Sequence, residues 1–292
     1  MADAQAPPEA RTIPWAPIAW VAIALCVAFY PMLERLVRQW MDDGDMGHGF
    51  FVPIVSGYLV WLRKNEVLAA ANRRNYWGVL LMVLAAFQYV IGHLGAENFI
   101  FRTSIIFSLA GMALFLGSWR LLKILAFPLA LLFFMVPIPS VIYNRITFPL
   151  QIFASQVAEF SLLTIGIPVL RDGNVLELAE NRLSVVEACS GIRSLLSLTF
   201  LSLVYGYFFE KSNWMRLTLL LITVPIAIAA NAFRVTMTGI LYEYKREWAE
   251  GFFHSAEGWV IFMFALSMLL GFHHFVNWFQ KGVANARAQA RG

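Results

Sequence analysis

Three side chains that together can break and re-form an acyl bond lie near the ends of apolar runs in this chain: the thiol of Cys189, the guanidinium of Arg234 and the imidazole of His254. Cys189 stands in "EACSGIRSLLS", with Glu187 just before it and Arg193 one helical turn after it. Asn231 and Arg234 share the motif "NAFR", and His254 stands in "GFFHSAEGW". The thiolate is the reactive form of cysteine, and a helix N-terminus or a nearby cation lowers the thiol pKa. "CSG" suits a helix start, because Ser can cap and Gly admits a close backbone approach. A histidine can deprotonate the thiol and later protonate a leaving amine. An arginine can stabilise the oxyanion of a tetrahedral intermediate, a service whose loss costs about 10²–10³ in rate in studied enzymes. Each residue alone also has a structural reading. A helix thiol packs, an arginine near a span end reaches to headgroups, and a loop histidine is solvated. Ionisable groups inside an apolar helix nevertheless point to function.

The elements that position these residues are membrane spans. Of 292 residues, 60% are hydrophobic and 14% charged, against about 45–50% and about 25% in soluble domains. The fold class expected is an all-α polytopic membrane protein. The net charge is +4. Its Lys and Arg are scattered between apolar runs, which fits topology signals and membrane lipids as partners, and no nucleic acid. Only two cysteines are present, which excludes a disulfide framework. Cys26, inside "WVAIALCVAFY", is expected to be an inert buried thiol. The N-terminal "MADAQAPPEARTIP" lacks a basic n-region, so the first apolar run is expected to be retained rather than cleaved.

Eight runs approach the length of a span, at 15–34, 50–63, 77–94, 99–118, 121–139, 189–209, 215–235 and 257–278. The second is short and reads as tilted or partly re-entrant. Lys and Arg concentrate in the loops that an N-in start makes cytoplasmic, including Arg63, Lys64, Arg73, Arg74, Arg120 and Lys123. Both termini are therefore expected inside, and Cys189, Arg234 and His254 at one outer face. The chain divides into a cytoplasmic tail (1–14), a five-span bundle (15–139), an extracytoplasmic stretch (140–188), a three-span bundle (189–278) and a cytoplasmic tail (279–292). Within 140–188, "SVIYNRITFPLQIFASQVAEFSLLTIGIP" reads as an amphipathic helix on the outer leaflet. "RDGN" then signals a β-hairpin or three-stranded flap leading into Cys189.

Other polar points are weaker. "DDGDMGHGFFVP" reads as an acidic outer loop, a cleft wall or a metal-binding stretch, and its His48 rivals His254 as the base. His93 reads as structural, and His273 and His274 fall near the opposite end of the last span.

At these residues the sequence resembles the exosortase/archaeosortase family of polytopic membrane cysteine transpeptidases. The resemblance rests on the order of "EACSGIRS", "NAFR" and "FFHSAEGW", with "HGFFVP" (His48 to Pro53) and the hairpin upstream of the cysteine, over roughly residues 20–275. It implies Cys189, Arg234 and His254 as catalytic residues, with Arg193, Glu187, His48 and Asn231 on the substrate. It implies no cofactor and no metal. The implied partners are secreted proteins with a C-terminal sorting signal: a Pro-Glu-Pro-type motif, a transmembrane helix and a basic tail. The acceptor is unknown. The implied location is the bacterial inner membrane, with the site facing the periplasm and a link to exopolysaccharide production. Two other readings stay open: a protease that hydrolyses without transfer, and a non-enzymatic component of polysaccharide export or a transporter. No repeated halves or paired broken spans favour the transporter.

Overall fold

The computed structural model describes residues 15–71, 74–179, 182–185, 192–244 and 252–289; for 192–193, 252–258 and a few others only the backbone is described. The chain forms two compact units, Met1–Pro139 and Ser140–Gly292. Among the described residues, five helices are long and apolar enough to cross a membrane, or six if one bent pair is a single span. The expected eight are not all recovered, for physical reasons that differ from helix to helix.

In the first unit, α1 (Trp15–Ala28) and α2 (Tyr30–Asp42) replace the expected span 15–34. They meet at 78°. Pro31 sits in the first turn of α2, where its missing N–H leaves no helical bond unmade, so a new helix can start at this point after the break at Phe29. The two helices differ in what surrounds them. α1 is apolar around its whole circumference and mostly exposed, so Cys26 lies on its outer surface and not in a core. A lipid-facing helix is buried by the bilayer, which inverts the usual rule for a small hydrophobe. α2 is amphipathic and buries Met32, Leu36 and Trp40 along one face.

A 3₁₀ turn (Gly44–Phe50) leads to α3 (Phe51–Leu62) and the short α4 (Lys64–Ala70). The 12 residues of α3 rise only about 18 Å, well short of an apolar layer of about 30 Å. α5 (Trp77–Leu94) covers the expected third span to the residue, and α6 (Asn98–Leu131) follows it. These two pack with almost no space between backbones. A Cβ at Gly92 would sit 2.5 Å from the Phe101 backbone nitrogen, and one at Gly78 would collide with Phe115 and Gly111. Small residues at such a contact are how helices associate where lipid supplies no hydrophobic drive.

α6 is not straight. Phe29 packs on Tyr89 (ring centroids 5.2 Å) and Tyr89 on Phe101 (4.8 Å). At the far end of α2, the Trp40 indole donates to the Met135 carbonyl at 2.9 Å. α2, with 13 residues, is about 20 Å long, whereas a straight helix would hold Phe101 and Met135 about 50 Å apart. The stretch therefore folds back, and Ser118 (φ 58°, ψ −167°) is the break. It falls where the sequence predicts a loop between 118 and 121.

In the second unit, α7 (Ser140–Thr164) is a 25-residue helix long and apolar enough to cross a membrane. The sequence predicts an interfacial helix in this stretch; by length and composition the helix can also span. Its polar stripe, Thr147, Gln151 and Ser155, is buried together with Ala154, Ala158 and Leu162. The polar face thus points into protein, not water. A three-stranded antiparallel sheet follows: β1 (Val169–Asp172), β2 (Val175–Leu178) and β3 (Arg182–Ser184). Gly173 (φ 61°) begins the two-residue turn between β1 and β2, at the place a type II′ hairpin needs glycine. Arg182 and Glu177 pair across β2 and β3.

Three long helices complete the unit: α8 (Ile192–Phe209), α9 (Asn213–Tyr244) and α10 (Phe252–Gln289). Their shared core includes Leu198, Met215, Leu219, Ile226, Ile261, Ala265 and Leu269. At the α8–α9 turn, the Tyr205 hydroxyl is 2.8 Å from His273 Nδ1, while His273 Nε2 is 2.5 Å from Glu210. This cluster pins α8 to α10 at the end of the unit away from the Asn231 turn, as the sequence placed His273.

Replacing Gly78 by Leu is expected to lower the stability of the detergent-solubilised protein by about 1–3 kcal/mol, the usual cost of overfilling a packed contact. Thermal unfolding followed by circular dichroism checks this. An unchanged midpoint would show that α5 and α6 do not need their close approach.

Candidate functional site

Arg234 and Asn231 belong to the second half of α9, and both side chains are buried, 8% and 4% exposed. Burying a guanidinium is costly unless its surroundings are polar or charged. The backbone around it is itself held: the Thr238 hydroxyl donates to the Arg234 carbonyl at 3.0 Å.

The residues on either side of Arg234 make the principal packing contact of this unit. Ala232 and Val235 share a buried cluster with Ala154, Ala158 and Leu162 of α7, and with Leu176, Leu178, Leu183 and Val185 of the sheet. Leu162 also fills the space over Gly239, where a Cβ would come within 2.9 Å of it. Polar contacts fix the sheet to α7. The Ser155 hydroxyl lies 3.0 Å from the Gly173 carbonyl, the Asn174 amide donates to Gln151 at 3.1 Å, and Arg171 pairs with Glu159 at 2.8 Å. Sequence reading missed these α7 residues as supports of the site. Helical spacing of polar residues marks a stripe, but not whether that stripe meets water or protein.

This packing bounds where the chain runs before α8. Val185 is fully buried in the Arg234-flanking cluster. Leu195, on the first turn of α8, lines a narrow crevice with Leu150, Ala227, Ile228 and Asn231. Val185 and Leu195 thus both lie at the level of Asn231 and Arg234.

Cys189 and Glu187 lie outside the described residues, as do the side chains of Arg193 and His254. Arg193 is the second residue of α8 and His254 the third of α10. Phe264, about 15 Å further along α10 than His254, stacks on Phe233 with ring centroids 5.7 Å apart. The starts of α8 and α10 lie away from the Glu210–His273 cluster, and the Phe233–Phe264 contact sets the Arg234 part of α9 level with the middle of α10, ten residues from His254 and nine from His273. His48 belongs to the first unit, where its Nε2 is 3.1 Å from the Phe134 carbonyl and donates to it. His93 stacks on Tyr89 and touches Phe101. Among the described residues no group of three His, Cys, Asp or Glu side chains is arranged to hold a metal.

Titration is visible away from the spans. The Arg63 guanidinium, hydrogen-bonded to Glu66, holds that carboxyl below the usual carboxylate range. Glu177 raises the pKa of Arg182 in the same way.

A family model described as transmembrane exosortase matches residues 40–271. Neither a curated protein nor a solved structure matches the chain.

Leu162→Ala removes a fully buried side chain and is expected to cost about 2–5 kcal/mol. It is also expected to raise protease cleavage between Ser184 and Ile192 severalfold, because α7 then grips the sheet less firmly. Cleavage equal to wild type would show that α7 does not hold this segment.

Proposed function

Given that the chain belongs to the transmembrane exosortase family, we propose that it is a cysteine transpeptidase that processes the C-terminal sorting signals of secreted proteins at a membrane–water interface. The observation that supports this best is that Val185 and Leu195 pack at the level of Asn231 and Arg234, with Cys189 between them in the sequence.

The substrate helix enters sideways from the bilayer and brings its Pro-Glu-Pro-type motif to this level of the unit. His254 takes the thiol proton, and the Cys189 thiolate attacks the scissile carbonyl carbon. Arg234 stabilises the oxyanion that forms, helped by its removal from bulk water. The tetrahedral intermediate collapses as the C–N bond breaks and protonated His254 gives its proton to the departing amine. The product is a thioester on Cys189. An acceptor amine or hydroxyl then gives up its proton to His254 and attacks the thioester carbonyl. The C–S bond breaks and the thiolate returns. Water in place of the acceptor makes the enzyme a protease. Asn231 and Arg193 orient the substrate or Glu187. In this reading the protein resides in a bacterial inner membrane with the site facing the periplasm, and serves sorting linked to exopolysaccharide production.

Co-expression with a tagged secreted protein bearing a Pro-Glu-Pro tail tests the assignment. Wild type is expected to shorten the substrate and Cys189→Ala to leave it intact. Arg234→Gln is expected to slow processing by about 10²–10³. Mass spectrometry of the new C-terminus reads an added group for transfer and a free carboxylate for hydrolysis. Processing that is indifferent to Cys189 would overturn the nucleophile assignment.

A further inference from the structure

Arg102 is the other deeply buried guanidinium among the described residues. It is the fifth residue of α6 and 6% exposed. Its Nε is buried without a hydrogen-bond partner. Among the described residues no carboxylate pairs with it. A guanidinium carries five N–H donors and no acceptor, and stays charged in a protein. Burying one without an anion is strongly unfavourable, and burying it beside a second cation more so.

That second cation is present. The charged group acting on Arg102 is Arg35 of α2, which is of like sign. The nearest acid along the chain, Glu97 at the head of α6, is exposed and makes no ion pair with Arg102. α3 and α5 contain no Asp or Glu, and Glu34 of α2 is taken by Arg38 at 2.7 Å. Packing also brings the two helices together here, since Phe29 at the head of α2 packs on Tyr89 and Tyr89 on Phe101, next to Arg102. An arginine pair is complete when an anion joins it, and arginine's planar fork matches the oxygens of a phosphate.

The setting indicates the source of that anion. α2 turns off α1 at 78°. It buries one face while Arg35 and Arg38 stay on the exposed side. An amphipathic helix that leaves an apolar helix at such an angle lies along the membrane surface, at the depth of lipid headgroups. Arg102 is within the first two turns of α6, level with that surface. We infer that Arg102 and Arg35 form a phosphate-binding site, and that a phospholipid headgroup seated beside α2 supplies the phosphate. The site belongs wholly to the first unit and is independent of the chemistry proposed for Cys189.

Native mass spectrometry of the full-length protein in detergent tests this, with phosphatidylglycerol, diacylglycerol or inorganic phosphate as the probe. Wild type is expected to retain phosphatidylglycerol, and to retain diacylglycerol, which lacks the phosphate, at least about tenfold less, the scale of losing a charge-assisted bidentate pair. Arg102→Met is expected to abolish the difference between the two lipids. Arg35→Ala, at an exposed position that folding does not depend on, is expected to reduce it severalfold. Thermal unfolding separates a site from a structural role. In delipidated micelles Arg102→Met is expected to unfold at a higher temperature than wild type, and phosphatidylglycerol to raise the midpoint of wild type alone. Tight binding of inorganic phosphate without retention of lipid would keep the phosphate site and overturn the lipid as its source. Equal retention of both lipids by wild type, or an Arg102→Met that unfolds earlier with and without lipid, would overturn the proposal.

Discussion

The close packing of α7 against the Arg234 turn of α9 is the contact on which the rest of the second unit depends. Lipid tails are as apolar as leucine, so two helices gain little by hiding apolar surface from them. What remains is dispersion at short range and hydrogen bonding. Ala154, Ala158 and Ala232 supply the first by letting the backbones approach, and Leu162 fills the space over Gly239. Gln151, Ser155 and Glu159 supply the second, but to the sheet, through Asn174, Gly173 and Arg171. One helix therefore holds α9 with its small residues and the sheet with its polar ones. Val185, at the end of the sheet, is positioned as a consequence.

The same physics explains why burial is an unreliable guide in such a protein. Many large apolar side chains, among them Trp77, Phe87, Trp259 and Phe275, face outward. Their solvent is hydrocarbon, so exposure costs nothing there. Polar groups obey the stricter rule. Inside a bilayer each must find a partner within the protein or cause a large loss of stability. The Tyr205–His273–Glu210 cluster obeys it through mutual hydrogen bonds. Arg234 sits among polar and small residues on a helix whose backbone is pinned. The Nε of Arg102 is one of the few buried polar atoms among the described residues that protein atoms leave without a hydrogen bond.

A buried arginine also suits the chemistry asked of Arg234. A donor that stabilises developing negative charge acts best when fixed beforehand and shielded from water, since it then needs no reorganisation as the charge forms. The packed cluster on both sides of Arg234 supplies that fixity.

Much of the helical frame was legible in sequence because hydropathy is a local property. The run 77–94 is α5 to the residue, "RDGN" marks the β1–β2 turn, and the break expected between 118 and 121 falls at Ser118. The order of "ACSG", "NAFR" and "FFHSAEGW" named the family for the same reason: motifs are contiguous. The sequence alone therefore determined a polytopic helical protein and the family to which it belongs. Direction and depth were decided only by tertiary structure. The span expected at 15–34 turns aside after Ala28, Cys26 faces outward, and α7 presents its polar stripe to protein. Each of these depends on what lies opposite a residue in space. A stripe of Thr147, Gln151 and Ser155 reads identically whether it meets water or a sheet, because periodicity records which residues share a face and not what that face touches.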